Sequence, residues 1–143
     1  MLAKAPSPVQ ENQLGVLYAQ FGELDKAIAR FENAIAAKPY LPAMVNAANI
    51  YSMKQDYGRA QDYLKRAQKL EPDNARVLIA LAFSLFQSGN ESDAKSTFER
   101  MSRIDPGLAS RYPLFGASSA QAGQGRAARE GAGQQLFGAE WVQ

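Results

Sequence analysis

Residues 14–39 read LGVLYAQ-FG-ELDKAIARFENAIAAKP, that is Leu14-Gly15, Tyr18, Gly22, Ala27, Phe31, Ala34 and Pro39 on an otherwise variable background. Within this stretch, apolar residues recur three and four apart, first as Leu14, Tyr18 and Phe21, then as Leu24, Ala27, Ile28, Phe31, Ala34 and Ile35. Two amphipathic helices with a break at Gly22 are the reading that this spacing supports. Gly15 and Ala27 supply small side chains where two helix axes come close. Phe31 supplies the bulk that fills space toward the next unit. Gly22 ends the first helix in a left-handed turn at no steric cost.

The same pattern returns twice. Pro39, Pro72 and Pro106 lie 33 and 34 residues apart. Aligned on these prolines, Gly15 meets Ala48 and Ala82, and Tyr18 meets Tyr51 and Leu85. Ala27 meets Ala60 and Ala94, and Phe31 meets Leu64 and Phe98. Self-similarity at this period is the mark of stacked repeats, each too small to bury its own apolar face. Helices are expected at about 8–21, 24–38, 42–54, 57–70, 75–88 and 91–104, with ends uncertain by roughly two to four residues. Ser7-Pro8-Val9-Gln10 reads as an N-cap, a proline at the first helical position and a capping-box glutamine. Pro42 opens the third helix in the same way, and Asp73 or Asn74 caps the fifth. Gly89 marks a turn like that at Gly22. The middle unit carries Gln55-Asp56 at that point, which predicts a turn of another type.

These residues resemble the tetratricopeptide repeat, a 34-residue helix–turn–helix with Leu-Gly, Tyr, Ala, Phe and Pro at fixed offsets. The resemblance covers residues 8–108 as three repeats: Leu14-Gly15…Tyr18…Ala27…Phe31…Ala34…Pro39, Ala47-Ala48…Tyr51…Ala60…Leu64…Ala67…Pro72, and Leu81-Ala82…Leu85…Ala94…Phe98…Pro106. It implies an all-α solenoid of antiparallel helix pairs, divided as 8–40, 41–74 and 75–108 after a short extension at 1–7. Glu11 departs from the pattern where Met44 and Leu78 are apolar, so the first helix starts on a more polar face. Met101 replaces Ala34 and Ala67, which gives the third unit a bulkier outer face.

The family resemblance further implies a concave groove lined by the first helix of each pair. Projected onto that geometry, the groove displays Asn12, Val16, Ala19 and Gln20, then Asn46, Asn49 and Met53, then Arg76, Ala80, Phe83 and Gln87. Such a surface suits a peptide or protein segment: the amides of Asn46 and Asn49 offer both donors and acceptors to an extended main chain. Val16, Ala80 and Phe83 would take apolar side chains. The plainer alternatives are that Asn46 and Asn49 are solvated or bridge neighbouring helices, that Arg76 is a solvated helix-start residue, and that Phe83 is core. Some members of the family hold a chaperone's C-terminal carboxylate with five Lys, Arg and Asn side chains. Asn46 and Arg76 fall on matching positions, but Asn12, Val16 and Ala80 at the other three lack the charge or donors, which argues against that specificity.

Composition narrows the remaining choices. The 143 residues contain no histidine and no cysteine, which excludes Ser-His-Asp and Cys-His catalysis, disulfides, and metal sites ligated by either residue. No phosphate-binding loop is present, and Gly123-Gln124-Gly125 follows no strand. Glu91 and Asp93 sit at a helix start, where they favour the helix dipole. Asn90-Glu91-Ser92 fits the short glycosylation sequon. Neither catalysis nor a cofactor is expected. Sixteen Lys and Arg against fourteen Asp and Glu leave +2. The charges divide evenly: four positive and four negative in 1–40, five and four in 41–74, four and four in 75–108, three and two in 109–143. No basic stripe for nucleic acid exists, and Arg59, Lys65, Arg66 and Lys69 read as a solvated convex face. Met1 to Pro6 lack an apolar stretch of signal-peptide length, and no run approaches the roughly 18 residues of a membrane helix. Localisation therefore stays open, cytoplasmic by default, since a longer chain could carry a signal upstream.

Beyond Pro106, residues 107–115 (GLASRYPLF) are expected to form a short capping helix, with Leu108, Tyr112 and Leu114 packing near Met101 and Pro113 stopping it. Residues 116–143 hold six Gly, seven Ala and five Gln, a composition suited to a flexible tether. That tether ends in Leu136, Phe137 and Trp141, apolar anchors of a linear motif. The tail either packs on the chain's own repeats or docks in a neighbouring copy's groove, giving a homo-oligomer. Two functions follow: a non-catalytic module binding a partner segment in its groove, or an assembly scaffold whose own tail (136–142) fills the groove.

Overall fold

A computed structural model describes residues 5–112 and 141–143. Seven α-helices and no strand form among the described residues: α1 Pro8–Gln20, α2 Leu24–Ala37, α3 Leu41–Met53, α4 Tyr57–Leu70, α5 Ala75–Gln87, α6 Glu91–Ile104 and α7 Pro106–Ser110. The helices pair as α1/α2, α3/α4 and α5/α6, and successive pairs stack through α2 on α3 and α4 on α5. The first helices also touch one another, α1 with α3 and α3 with α5. They therefore form one continuous face.

Local chemistry sets the helix ends. Ser7 accepts from the Gln10 N–H while the Gln10 side chain accepts from the Ser7 N–H at 2.9 Å, a complete capping box. Such caps contribute about 1 kcal/mol each. Pro42 occupies the first turn of α3, and Asn74, not Asp73, caps α5 by accepting from the N–H of both Arg76 and Val77. Asn90 of the sequon is likewise an N-cap, accepting from the Asp93 N–H.

The turns within the three pairs are alike, contrary to the expectation for the middle one. Gly22, Gln55 and Gly89 all take positive φ, at 78°, 64° and 91°. In each turn the next N–H reaches back to the carbonyl five residues earlier: Glu23 to Tyr18 (2.9 Å), Asp56 to Tyr51 (2.8 Å) and Asn90 to Leu85 (2.9 Å). Stacking fixes the turn geometry, so Gln55 adopts a conformation that a Cβ makes costly by roughly 1–2 kcal/mol.

The core follows the repeated positions. Ala27, Ala60 and Ala94 are buried where the paired helices meet, with Phe31, Leu64 and Leu78 among the bulky fully buried side chains. Flanked on both sides, α5 buries every residue from Val77 to Phe86. Gly15 is required by Phe31: a Cβ there would stand 2.5 Å from the ring's Cε1 and 2.7 Å from Cδ1. The Phe31 ring thus packs back over its own unit's first helix as well as outward.

Both departures from the repeat pattern turn out to be buried. Glu11 is only 7% exposed and pairs with Arg30 at 3.5 Å, so the polar start of α1 is an ion pair against α2 rather than an open face. Met101 is fully buried. It fills space beneath α7, whose Leu108 and Ala109, with Tyr112 just beyond, pack against the core. The bulk at position 101 serves the cap of the array. Leu114 and Pro113 lie outside the described residues.

Candidate functional site

The face made by α1, α3 and α5 carries two amides at equivalent places in successive repeats, Asn12 and Asn46. Both are fully buried. A buried primary amide must find partners for two donors and an acceptor, because leaving one unmade costs about 1–3 kcal/mol. Here the first partner is its counterpart: Asn46 Nδ2 donates to Asn12 Oδ1 at 2.9 Å, bridging α3 to α1.

The remaining partners come from the chain's own C-terminal end. Val142 N–H donates to Asn46 Oδ1 at 2.7 Å. Val142 O accepts from Asn46 Nδ2 at 2.6 Å and from Asn12 Nδ2 at 2.9 Å. One side-chain amide thus pairs with both main-chain groups of a single residue, the exchange that opposed residues make in an antiparallel ladder. This arrangement also fixes which end of each amide is oxygen. Beside it, the Trp141 ring stacks on Phe31, centroids 6.4 Å apart and planes at 24°. Trp141 and Val142 are half-buried, and Gln143 is exposed.

The other residues expected on this face divide by depth. Val16 (2%), Ala19 (8%) and Ala80 (7%) are buried and shape its floor. Gln20 and Arg76 are exposed, Asn49 and Gln87 are half-buried, and Met53 is 43% exposed. Phe83 does not present an open pocket: it is 2% exposed and lies edge-on to Tyr112 at 6.0 Å. The segment after α7 covers it, so of the two readings of Phe83 the core one describes its surroundings. Asn12 and Asn46 do bridge neighbouring helices, and their outward halves meet a main chain as well. Of the tail anchors, Leu136 and Phe137 lie outside the described residues.

Sequence reading missed a second cluster. Tyr51 and Tyr63 stack at 5.9 Å with planes 11° apart. Arg59 lies over the Tyr51 ring at 5.6 Å and Arg66 over Tyr63 at 5.4 Å. With Glu32 and Asp62 they line an open cleft of about 450 Å³. Tyr51 Oη donates to Glu32 at 2.8 Å. Burial, reinforced by the Glu32 carboxylate, pushes the Tyr51 phenol up to about 12. Tyr63 is also raised, mainly by burial and then by Glu32. Arg59 and Arg66 are therefore not simply solvated: each sits on an aromatic face, and Arg59 also pairs with Asp56 at 3.6 Å. The signal was the spacing of Arg59, Tyr63 and Arg66 on α4, readable only once α3 brings Tyr51 alongside.

Among the described residues no cluster of three or more metal-ligating side chains occurs, and no helix is long and apolar enough to cross a membrane.

Comparison with known proteins agrees with this geometry. The tetratricopeptide-repeat family pattern matches residues 12–40 and again 52–112. The chain belongs to the tetratricopeptide-repeat family and is a helical-solenoid module of protein–protein interaction. It is similar to the general transcriptional corepressor trfA of Dictyostelium discoideum, 28% identical over 61% of this chain and 6% of that protein. It is also similar to the cytochrome c-type biogenesis protein CycH of Rhizobium meliloti, 30% identical over 65% of this chain and 26% of that one. The chain thus spans 6% of the first relative's length and 26% of the second's. Among solved structures, the first repeat domain of Spaghetti (RPAP3) bound to the HSP90 peptide SRMEEVD superposes with a TM-score of 0.72. That match is 22% identical and covers 80% of this chain and 93% of that one. The Cut9–Hcn1 assembly of the APC/C superposes with a TM-score of 0.68 at 24% identity, over 73% of this chain and 22% of that one.

Proposed function

We propose that this module is non-catalytic and takes up an extended segment of a partner protein along the face of α1, α3 and α5. The observation that carries the reading is Asn46, fully buried, with its amide oxygen and nitrogen paired to the N–H and C=O of one residue, Val142. Such an amide reads main chain, and is therefore suited to peptides rather than to small metabolites. The structural neighbour bound to an HSP90 peptide is consistent with a peptide as the class of occupant. That peptide's acidic residues do not suit this groove, where uncharged Asn12, Val16 and Ala80 stand at the positions that would need positive charge. The test is selection of a displayed library of random peptides against the intact chain, with Asn46→Ala plus Asn49→Ala as the counter-target. Enrichment of sequences that bind the wild type and lose the double variant supports the reading. Equal recovery on both proteins refutes it.

A second reading, an assembly scaffold whose groove holds its own tail, is favoured by the position of Trp141 and Val142 against Phe31, Asn12 and Asn46. The two readings share one groove.

A further inference from the structure

The occupant of a groove states what the groove selects. Val142 makes its hydrogen bonds through its main chain, and its half-buried side chain packs against the core, so a residue here must carry an N–H and apolar bulk. Proline fails the first requirement, since it has no N–H. Trp141 is held by its side chain, stacked on Phe31. Phe31 is itself immobilised by Gly15 on its other side, where no Cβ separates ring from helix. Specificity therefore resides in an aromatic residue followed by an apolar residue with an N–H. The polar groups that meet Val142 are neutral amides, which select main chain and not charge.

Geometry also favours occupation by the chain's own end. Tyr112 is anchored on Phe83 of the third repeat, and Trp141 rests on Phe31 of the first. The 28 residues between them, 113–140, have a contour length of about 95 Å, ample to span three stacked helix pairs. A tethered segment competes at an effective concentration in the mM range, far above that of a free partner.

We propose that Trp141-Val142 is a resident pseudo-ligand, and that partner segments enter this groove by displacing it with the same code, an aromatic residue followed by an apolar residue that carries an N–H. The proposal rests on the reading of the groove as a peptide site and adds to it both the ligand class and the gate.

Trp141 is the chain's only tryptophan, so its emission reports tail docking without a label. In the intact chain it should be blue-shifted and shielded from acrylamide, and both Asn46→Ala and Val142→Pro should expose it. Binding is then read by anisotropy of a fluorescein-labelled peptide matching residues 138–143 (GAEWVQ). The full chain carrying Val142→Pro, its groove vacated, should bind this peptide about tenfold or more tightly than the wild type, the factor expected when a tethered competitor is released. Peptides carrying Trp141→Ala or Val142→Pro should lose about tenfold, the worth of one stacking or hydrogen-bonding contact. Circular dichroism of each chain confirms that the repeats stay folded. Equal affinity of wild type and Val142→Pro for GAEWVQ would overturn the pseudo-ligand. Equal affinity of the Val142→Pro chain for parent and Trp141→Ala peptides would overturn the aromatic code. In either case Asn46-dependent library binders would leave the groove reading standing, whereas their absence removes that reading instead. Loss of Trp141 shielding on about a hundredfold dilution would assign the tail to a second copy and overturn the intramolecular gate.

Discussion

Adding a single methyl group to Gly15 should destabilise the whole array, although alanine is the better helix former. The Cβ of Gly15→Ala would stand 2.5, 2.7 and 3.0 Å from Cε1, Cδ1 and Cζ of Phe31. Carbon atoms pack best at about 3.5–4.0 Å, so the ring must retreat by about 1 Å. Phe31 is fully buried and has no free space to retreat into. Overpacking of this kind costs about 1–3 kcal/mol, against an intrinsic gain of about 0.8–1.0 kcal/mol for replacing glycine in a helix. The net should be a loss of about 1 kcal/mol, seen as a fall in Tm of roughly 4–8 °C for a domain of this size. The second repeat suggests the remedy, since it carries Ala48 and Leu64 at the same two offsets. Gly15→Ala combined with Phe31→Leu should therefore be more stable than the sum of its single changes, by about 0.5–3 kcal/mol of coupling in a double-mutant cycle. Thermal unfolding followed by circular dichroism measures all four proteins. Trp141 emission gives an independent readout, because the displaced ring is the one it stacks on. A Gly15→Ala protein melting at or above the wild type, or a coupling of zero, would refute the claim that Phe31 dictates glycine at this position.

Two other perturbations follow from the geometry. Gln55 holds φ 64° in a turn where its counterparts are Gly22 and Gly89, so Gln55→Gly should raise stability by up to about 1 kcal/mol, less the entropy glycine adds to the unfolded chain. An unchanged or lower urea midpoint would contradict this. Tyr51, pushed up to about 12 from 10.0 in the folded state, keeps its proton where the unfolded chain has lost it. The stability this represents is fully present below pH 10 and is lost as pH rises from about 10 to about 12. Alkaline difference absorbance of wild type against Tyr51→Phe should place the missing tyrosinate near pH 12, and Glu32→Gln should move it down. A difference curve centred near 10 in the wild type would exclude the burial and Glu32 contact that raise it.

The parts of the molecule legible in the sequence are those governed by repetition. Small, large and proline at fixed offsets located six helices to within a few residues, because a stacked unit repeats its steric demands. The turn at Gln55 escaped for the converse reason. Residue type suggested a different local conformation, while the stacking of neighbours imposed the same one as at Gly22 and Gly89. Glu11 and Met101 were recognised as exceptions, yet their environments were not: an ion pair to Arg30 and a place beneath α7 depend on elements distant in sequence. The Tyr51–Tyr63–Arg59–Arg66 cluster was hidden similarly, since it joins two helices whose separate patterns look solvated.

The groove shows where a family resemblance stops as a guide to function. The resemblance puts Asn12 and Asn46 on one face, and amide chemistry says such residues can serve a main chain. Neither tells whether they do so or merely bridge helices. Burial sharpens the choice, because two fully buried amides that satisfy each other once still have an oxygen and three N–H groups between them to satisfy. A main chain presenting N–H and C=O on the same side meets the oxygen and two of those N–H groups in one step, and Val142 does so here. The charged clamp positions that this chain lacks would read the end of a peptide. On the proposed reading, the amide pair it has would read main chain instead, and would leave selection to the ring on Phe31. Partners would then be told apart by an aromatic residue and the N–H that follows it, a pair that Trp141 and Val142 present chemically.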